Sequence, residues 1–492
     1  MPYKSPLTLH TEYRLILPVL LFVVLYFFFS HEGIYYADDL SYSFYASLIA
    51  EGNFDFASRQ GHTFIHRPAV YVPAALLYLT FDMNQYTSTL WPLLCTLATI
   101  FILHRYAPTS TNSETTVATI LLALNFFFLY FSNIFYPDNI VTLFAFAAAL
   151  ACYWARRNEN KPVVLGILMA LLLFIAFLAK ETAAFYLPFF IGMAIRDAVA
   201  GKRARQEFWV AALFTGLVLA ASYLVYYHAA TGNALQRFHE INNANYVYSN
   251  YITQPNKSYL KRLLWSPVEV LISTGTLIPI ILMLGGGNYL SKGEASAKRF
   301  WLTLSGTALA TLWFMSTSYT SYNPISVDAR MFNVLIPPLA IAAAIGIEAK
   351  LKDRRFIAFY AAAFYAAALY LHNTSGIPYL LLALYFTGAY LFISKNVAVP
   401  VRVTVAVLAV CLSIRPLYFM FKPKVLHYPE HQQVLNYLQQ NVPQENTVLY
   451  APAYLEKAAT LYSSFSRDRD YKVMHYSTTQ TEQNIEHTYL LI

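Results

Sequence analysis

Five places in this 492-residue chain set ionisable side chains hard against apolar sequence, and each combination suits a definite chemistry. In "YYADDLSYSF", Asp38 and Asp39 follow the apolar run ending "LYFFFS". Paired carboxylates can bind a hard divalent cation, and one that stays ionised can take the proton of an attacking hydroxyl. "IFYPDNIVTLF" opens another apolar run with a further carboxylate, Asp138. "GHTFIHRPAV" sets His66 and Arg67 before a proline, "LAKETAAF" holds Lys180 and Glu181 in a short turn, and "VDARMFNVLIPP" puts Arg330 at the lip of a run. Lysine meets a phosphate as a point charge and arginine as a bidentate fork.

Each place also has a plainer role. One aspartate of the first pair would cap a helix whose Leu40, Phe44 and Leu48 share a face and which ends before Gly52, and Asp138 would cap its own run behind Pro137. Lys180 and Glu181 would form a boundary ion pair of little worth, and the arginines would snorkel to an interface. A cap needs only one carboxylate, so the second aspartate is the surplus that points to chemistry.

The elements that must position these residues are membrane spans. Charged residues make up 12% of the chain and hydrophobic ones 57%, and apolar runs long enough to cross a hydrocarbon core recur to about residue 418. The first, Leu15 to Phe29, lacks an Ala-x-Ala cleavage pattern and reads as a retained span. The others are 88–104, 115–132, 139–155, 163–179, 183–195, 207–228, 264–286, 300–317, 331–348, 356–372, 376–394 and 400–418. The shorter stretch 69–81, with Pro73 inside it, reads as interfacial or re-entrant, which leaves about 13 transmembrane helices in an all-α polytopic domain, residues 1–420. Residues 421–492 alternate helix and strand patterns, with "YKVMHYS" and "TYLLI" as strands, and read as a small α/β domain. Cys95, Cys152 and Cys411 all lie in apolar runs, so no disulfide framework is available.

With the N-terminus inside, "ARRNENK", "RDAVAGKRARQE", "KGEASAKR" and "EAKLKDRR" are inner loops, which is the positive-inside pattern. The net charge of +8 therefore reflects topology and points to no nucleic-acid partner. All five constellations fall on the opposite face, together with the long loop 31–87 and the tail. The tyrosine-rich stretch 241–259 reads as interface anchoring.

In the order of these elements the chain resembles the GT-C superfamily of membrane glycosyltransferases, most of all the branch of the protein mannosyltransferases and the lipid A aminoarabinose transferase. The likeness rests on the acidic pair, the basic-Pro element, the Asp after the next outer turn, the "KE" turn and the Arg ahead of "PPLA". It implies a GT-C-like fold with an extracytoplasmic C-terminal domain. It also implies transfer of a hexosyl or pentosyl group from a polyprenyl-phosphate-linked sugar donor to a lipid, glycan or protein acceptor hydroxyl, with inversion. Asp38, Asp39 and Asp138 would be catalytic, Arg67, Lys180 and Arg330 would bind the donor phosphate, and Asp38 with Asp39 would hold any divalent metal, Mg or Mn. Here "HRPA" stands where the family often has Lys-Pro-Pro, and Glu181 where it has a small residue. The implied location is a bacterial inner membrane, with membrane lipids as partners and the active site and tail periplasmic. The other class in view is a lipid-linked saccharide flippase or transporter, which would place ionisable residues in mid-membrane and show internal repeats. The runs here are nearly free of charge and carry no evident repeat. A polysaccharide polymerase or ligase would share the donor and the face.

Overall fold

A computed structural model of the protein describes residues 6–34, 38–56, 63–107, 111–157, 161–249, 251, 258–291, 297–318, 321–395, 397 and 399–422, with residue 461 and three strands beyond them. The chain opens with helix α1 (Pro6–Ser30) and a shorter helix α2 (Asp38–Ala50), whose first turn holds both aspartates, where carboxylates meet the positive end of the helix dipole. Leu40, Phe44 and Leu48 are all buried, as the shared face requires, and Gly52 ends the element at φ 75°, a conformation that favours glycine. Helix α3 (Pro68–Phe81) starts with its proline in the first turn and packs on α2. Its 14 residues rise only about 21 Å at about 1.5 Å each, short of a crossing, in keeping with the interfacial reading.

Helix α4 (Gln85–Tyr106) is capped by Asn84, and the expected span 115–132 is broken into α5 (Asn112–Ala123) and α6 (Phe126–Tyr130) by Asn125, whose side chain caps the second piece. Helix α7 (Asp138–Arg157) has Asp138 in its first turn and Arg156 and Arg157 in its last, both matched to the dipole, and it lies largely inside the bundle. It packs on α8 (Pro162–Ala179), which packs in turn on α10 (Arg203–Thr231), a long helix that faces outward along most of its length. Between them run a 3-10 segment, Glu181–Tyr186, and α9 (Leu187–Val199). Helix α11 (Gln236–Ser249) follows outside the spans.

Lys261–Trp265 forms a π-helical turn that leads into α12 (Ser266–Thr274), and α13 (Leu277–Met283) follows at a bend of 102°. Gly275, at φ 78°, supplies the break in what reads from sequence as one span. Beyond α14 (Asn288–Ser291) and α15 (Ala297–Phe314), the 3-10 segment Ala329–Leu335 runs into α16 (Ile336–Lys350), a buried central helix whose two prolines sit in its first turn. Helices α17 (Arg354–Leu371), α18 (Ile377–Ser394) and α19 (Val401–Phe421) complete the bundle.

Each of the thirteen expected runs contains helix, with those at 115–132 and 264–286 broken at Asn125 and Gly275. Among the described residues, eight helices are long and apolar enough to cross a membrane, and the bent pair raises the number to nine. In the tail, β1 (Thr447–Ala451), β2 (Lys472–His475) and β3 (His487–Leu490) form a parallel sheet in the order β2-β1-β3. Two of these strands are the stretches expected from "YKVMHYS" and "TYLLI", while the helices expected in this segment lie outside the described residues.

Candidate active site

Side-chain pairs bring the beginnings of α2, α3, α7 and α16 and the end of α8 together at one end of the bundle. The basic loops gather at the other end, where Asp197 pairs with Arg156 and Arg205 and where Lys298 pairs with Glu114 at 2.9 Å. At the first end, Arg330 Nη1 donates to Asp38 Oδ2 at 2.7 Å, and its guanidinium lies 5.0 Å from the centroid of the Tyr136 ring. Burial, then Asp38 and Asp39, push the Tyr136 hydroxyl well above its usual pKa, against the opposing influence of Arg330, so the acidic pair and the arginine share one locality. The two aspartates differ in access: the Asp38 side chain is 23% exposed, whereas Asp39 is 2% exposed.

Asp138 and Lys180 form a second pair, with Nζ donating to Oδ1 at 2.6 Å and both groups buried. Among the described residues, Asp138 Oδ2 has no hydrogen-bond partner. Burial is the main cause that draws the Lys180 ammonium below its usual pKa; Arg330 and Arg67 add to it, and Asp138 opposes it. The neighbouring Asn139 links this end to the elements around it. Its amide donates to Thr96 Oγ1 at 2.7 Å and to the Phe128 carbonyl at 2.9 Å, and its oxygen accepts from Asn333 at 2.8 Å. Asn333 lies in the Arg330 segment, and Tyr186, in the segment after Lys180, donates to the Val334 carbonyl at 2.6 Å. Three elements are thereby tied together.

Arg67 caps no helix through its side chain; its Nη1 donates to the Tyr42 hydroxyl at 2.7 Å and its Nη2 to Glu181 Oε2 at 3.1 Å. The other oxygen of Glu181 takes Arg237, through Nε at 3.1 Å and Nη2 at 2.5 Å. His66 is buried between the Tyr227 hydroxyl, 2.9 Å from Nδ1, and Glu240, which meets Nε2.

The structure therefore brings Asp38, Asp39, Asp138, Arg67, Lys180 and Arg330 to one end, and it corrects one local expectation. Lys180 and Glu181 do not pair with each other: the lysine turns to α7 and the glutamate bridges two arginines. Tyr42, Tyr136, Asn139, Asn333, Arg237 and Glu240 are site neighbours that sequence reasoning missed. The last two carried a signal, a charged pair at i,i+3 just beyond the apolar run 207–228. As a metal centre the acidic pair is sparsely equipped. Asp38 is engaged by Arg330, and among the described residues no group of three His, Cys, Asp or Glu could hold an ion, so a Mg or Mn ion on the pair would need water and substrate oxygens to complete its shell.

Residues 66–226 match the model of the dolichyl-phosphate-mannose-protein mannosyltransferase family. No curated protein matches the chain. Among solved structures, the chain is similar to ArnT from Cupriavidus metallidurans bound to undecaprenyl phosphate, at 12% identity and a TM-score of 0.61, over 94% of this chain and 86% of that one. The apo state of the same protein gives the same identity and score over 96% and 87%. The arabinosyltransferase EmbB from Mycobacterium smegmatis matches at 12% identity and a TM-score of 0.53, over 90% of this chain and 43% of that one.

Proposed function

We propose that this chain, which has the fold seen in ArnT and matches the mannosyltransferase family model over residues 66–226, transfers a sugar from a polyprenyl-phosphate donor to an acceptor hydroxyl at the outer face of the membrane. The observation that carries this is the Asp38–Arg330 pair, partly exposed at 2.7 Å, set beside Arg67 and Lys180. It puts a solvent-reachable carboxylate against a guanidinium at the end of the bundle. The undecaprenyl phosphate bound by the ArnT structure is a lipid phosphate of the class proposed.

In this reading the donor phosphate takes over Arg330, and Asp38 is released to act as base. The acceptor oxygen bonds to the anomeric carbon, the bond from that carbon to the phosphate oxygen breaks, and the phosphate leaves with the electron pair while Asp38 takes the hydroxyl proton. Arg330 and Arg67 meet the growing phosphate charge directly, and buried Lys180 adds positive potential behind them. Asp39 and Asp138 hold the arrangement from within. A single displacement inverts the anomeric centre. The sugar is a hexosyl or pentosyl group and the acceptor a lipid, glycan or protein. The site and the tail face the periplasm of a bacterial inner membrane, with the N-terminus cytoplasmic.

The test is turnover of a panel of undecaprenyl-phosphate sugars by purified wild type and Asp38→Asn with membrane acceptors, followed by the anomeric configuration of the product. Asp38→Asn should fold normally and lose about 10²–10⁴-fold in rate, the usual worth of a general base. Movement of labelled lipid-linked sugar across liposome bilayers with no donor consumed would replace the enzyme reading with a transporter.

A further inference from the structure

Arg67 is the least securely founded member of the cluster from its own local sequence, because it follows a 3-10 turn, Thr63–His66, and anchors no helix through its side chain. Its orientation has to come from elsewhere. Both Arg67 and the adjacent His66 connect to the same outside helix. His66 meets Glu240, and Arg67 is joined through Glu181 to Arg237. Arg237 and Glu240 are three apart on α11 and so lie on one helix face. With opposite charges, they engage two consecutive residues, Glu240 reaching His66 directly and Arg237 reaching Arg67 through Glu181.

We propose that α11 aims Arg67 at the donor phosphate, with Arg237 and Glu240 as positioning residues and Glu181 as the carboxylate that links them; this rests on the function proposed above. Arg237 is fully buried, donates to the Phe177 carbonyl at 2.7 Å and lies 4.2 Å from the centroid of the Phe177 ring, so its own place is fixed by the end of α8. Glu240 is steadied by Gln236, whose amide donates to Oε1 at 2.7 Å. His66 Nδ1 is engaged by Tyr227, near the end of α10. Both Arg67 terminal nitrogens are thereby committed, to Tyr42 and Glu181, which fixes the plane of the guanidinium, while among the described residues its buried Nε has no partner and is left for an anion. A fork held in one plane recognises phosphate oxygens with little further loss of freedom, whereas a free arginine would not.

The experiment measures binding of undecaprenyl phosphate to the full-length protein in detergent for wild type, Arg67→Gln, Arg237→Gln, Glu240→Gln and the double variant Arg67→Gln/Arg237→Gln. Arg237→Lys is included because it keeps the charge and loses the fork. Arg237→Gln is expected to weaken binding about tenfold through misplacement of Arg67, and Arg237→Lys to recover only part of it. In the Arg67→Gln background the effect of Arg237→Gln should vanish, a dependence that a merely structural role would not produce. Equal losses in both backgrounds, or wild-type binding by Arg237→Gln and Glu240→Gln, would overturn the positioning role and leave the function standing. No binding by wild type would overturn both.

Discussion

The buried pair of Asp138 and Lys180 permits a quantitative prediction. At 2.6 Å and an effective dielectric of about 20, the gross attraction is about 6 kcal/mol, and desolvation of two buried ions consumes much of it. Removing one partner leaves the other charged and unpaired, at a cost of about 3–5 kcal/mol. Over 492 residues, at about 2.1 cal/mol/K each, the unfolding entropy is about 1 kcal/mol/K. Asp138→Asn and Lys180→Met are therefore each expected to lower Tm by about 3–5 °C. The double variant should lose less than the sum of the two, because no orphaned charge remains, by a coupling of up to about 3 kcal/mol. Thermal unfolding in one detergent at one pH, followed by tryptophan fluorescence, measures all four proteins. Singles that melt within 1 °C of wild type (about 1 kcal/mol on the same scale), or strictly additive losses, would refute the claim that these two ions support each other.

Three further outcomes are expected. Chelation should leave donor turnover unchanged, because Arg330 and Arg67 supply the positive charge that meets the leaving phosphate in the proposed reaction; a loss restored by Mg or Mn would instead put a divalent cation on Asp38 and Asp39. Asn333→Ala removes the donor to Asn139 Oδ1 and should cost about 1–3 kcal/mol, with turnover falling up to about 10²-fold as the Arg330 segment loosens; thermal unfolding alongside donor consumption checks both. Gly346→Val would drive a side chain from α16 into the Leu282 carbonyl of α13 and should lower stability by about 1–3 kcal/mol, read as reduced monodisperse yield and Tm.

What the sequence by itself determined was the membrane bundle and the charged residues that gather at one end of it. Hydropathy and charge act locally: a run of apolar residues must be helical in lipid whatever its neighbours, and lysine and arginine sort to one side of the membrane. Helix starts were legible for the same reason, since Asp38, Asp138 and Pro68 act on the turn that contains them. The breaks at Asn125 and Gly275 were not, because an apolar run looks continuous when a single residue bends it. Partnership was decided only by tertiary structure. Asp38 finds Arg330 across 292 positions, Lys180 finds Asp138 across 42, and His66 finds Glu240 across 174. An ion pair between distant elements depends on which helix ends packing brings together, and no local pattern records that. The same packing buried Asp39, left Asp38 open and turned Glu181 from a boundary charge into the bridge between two arginines.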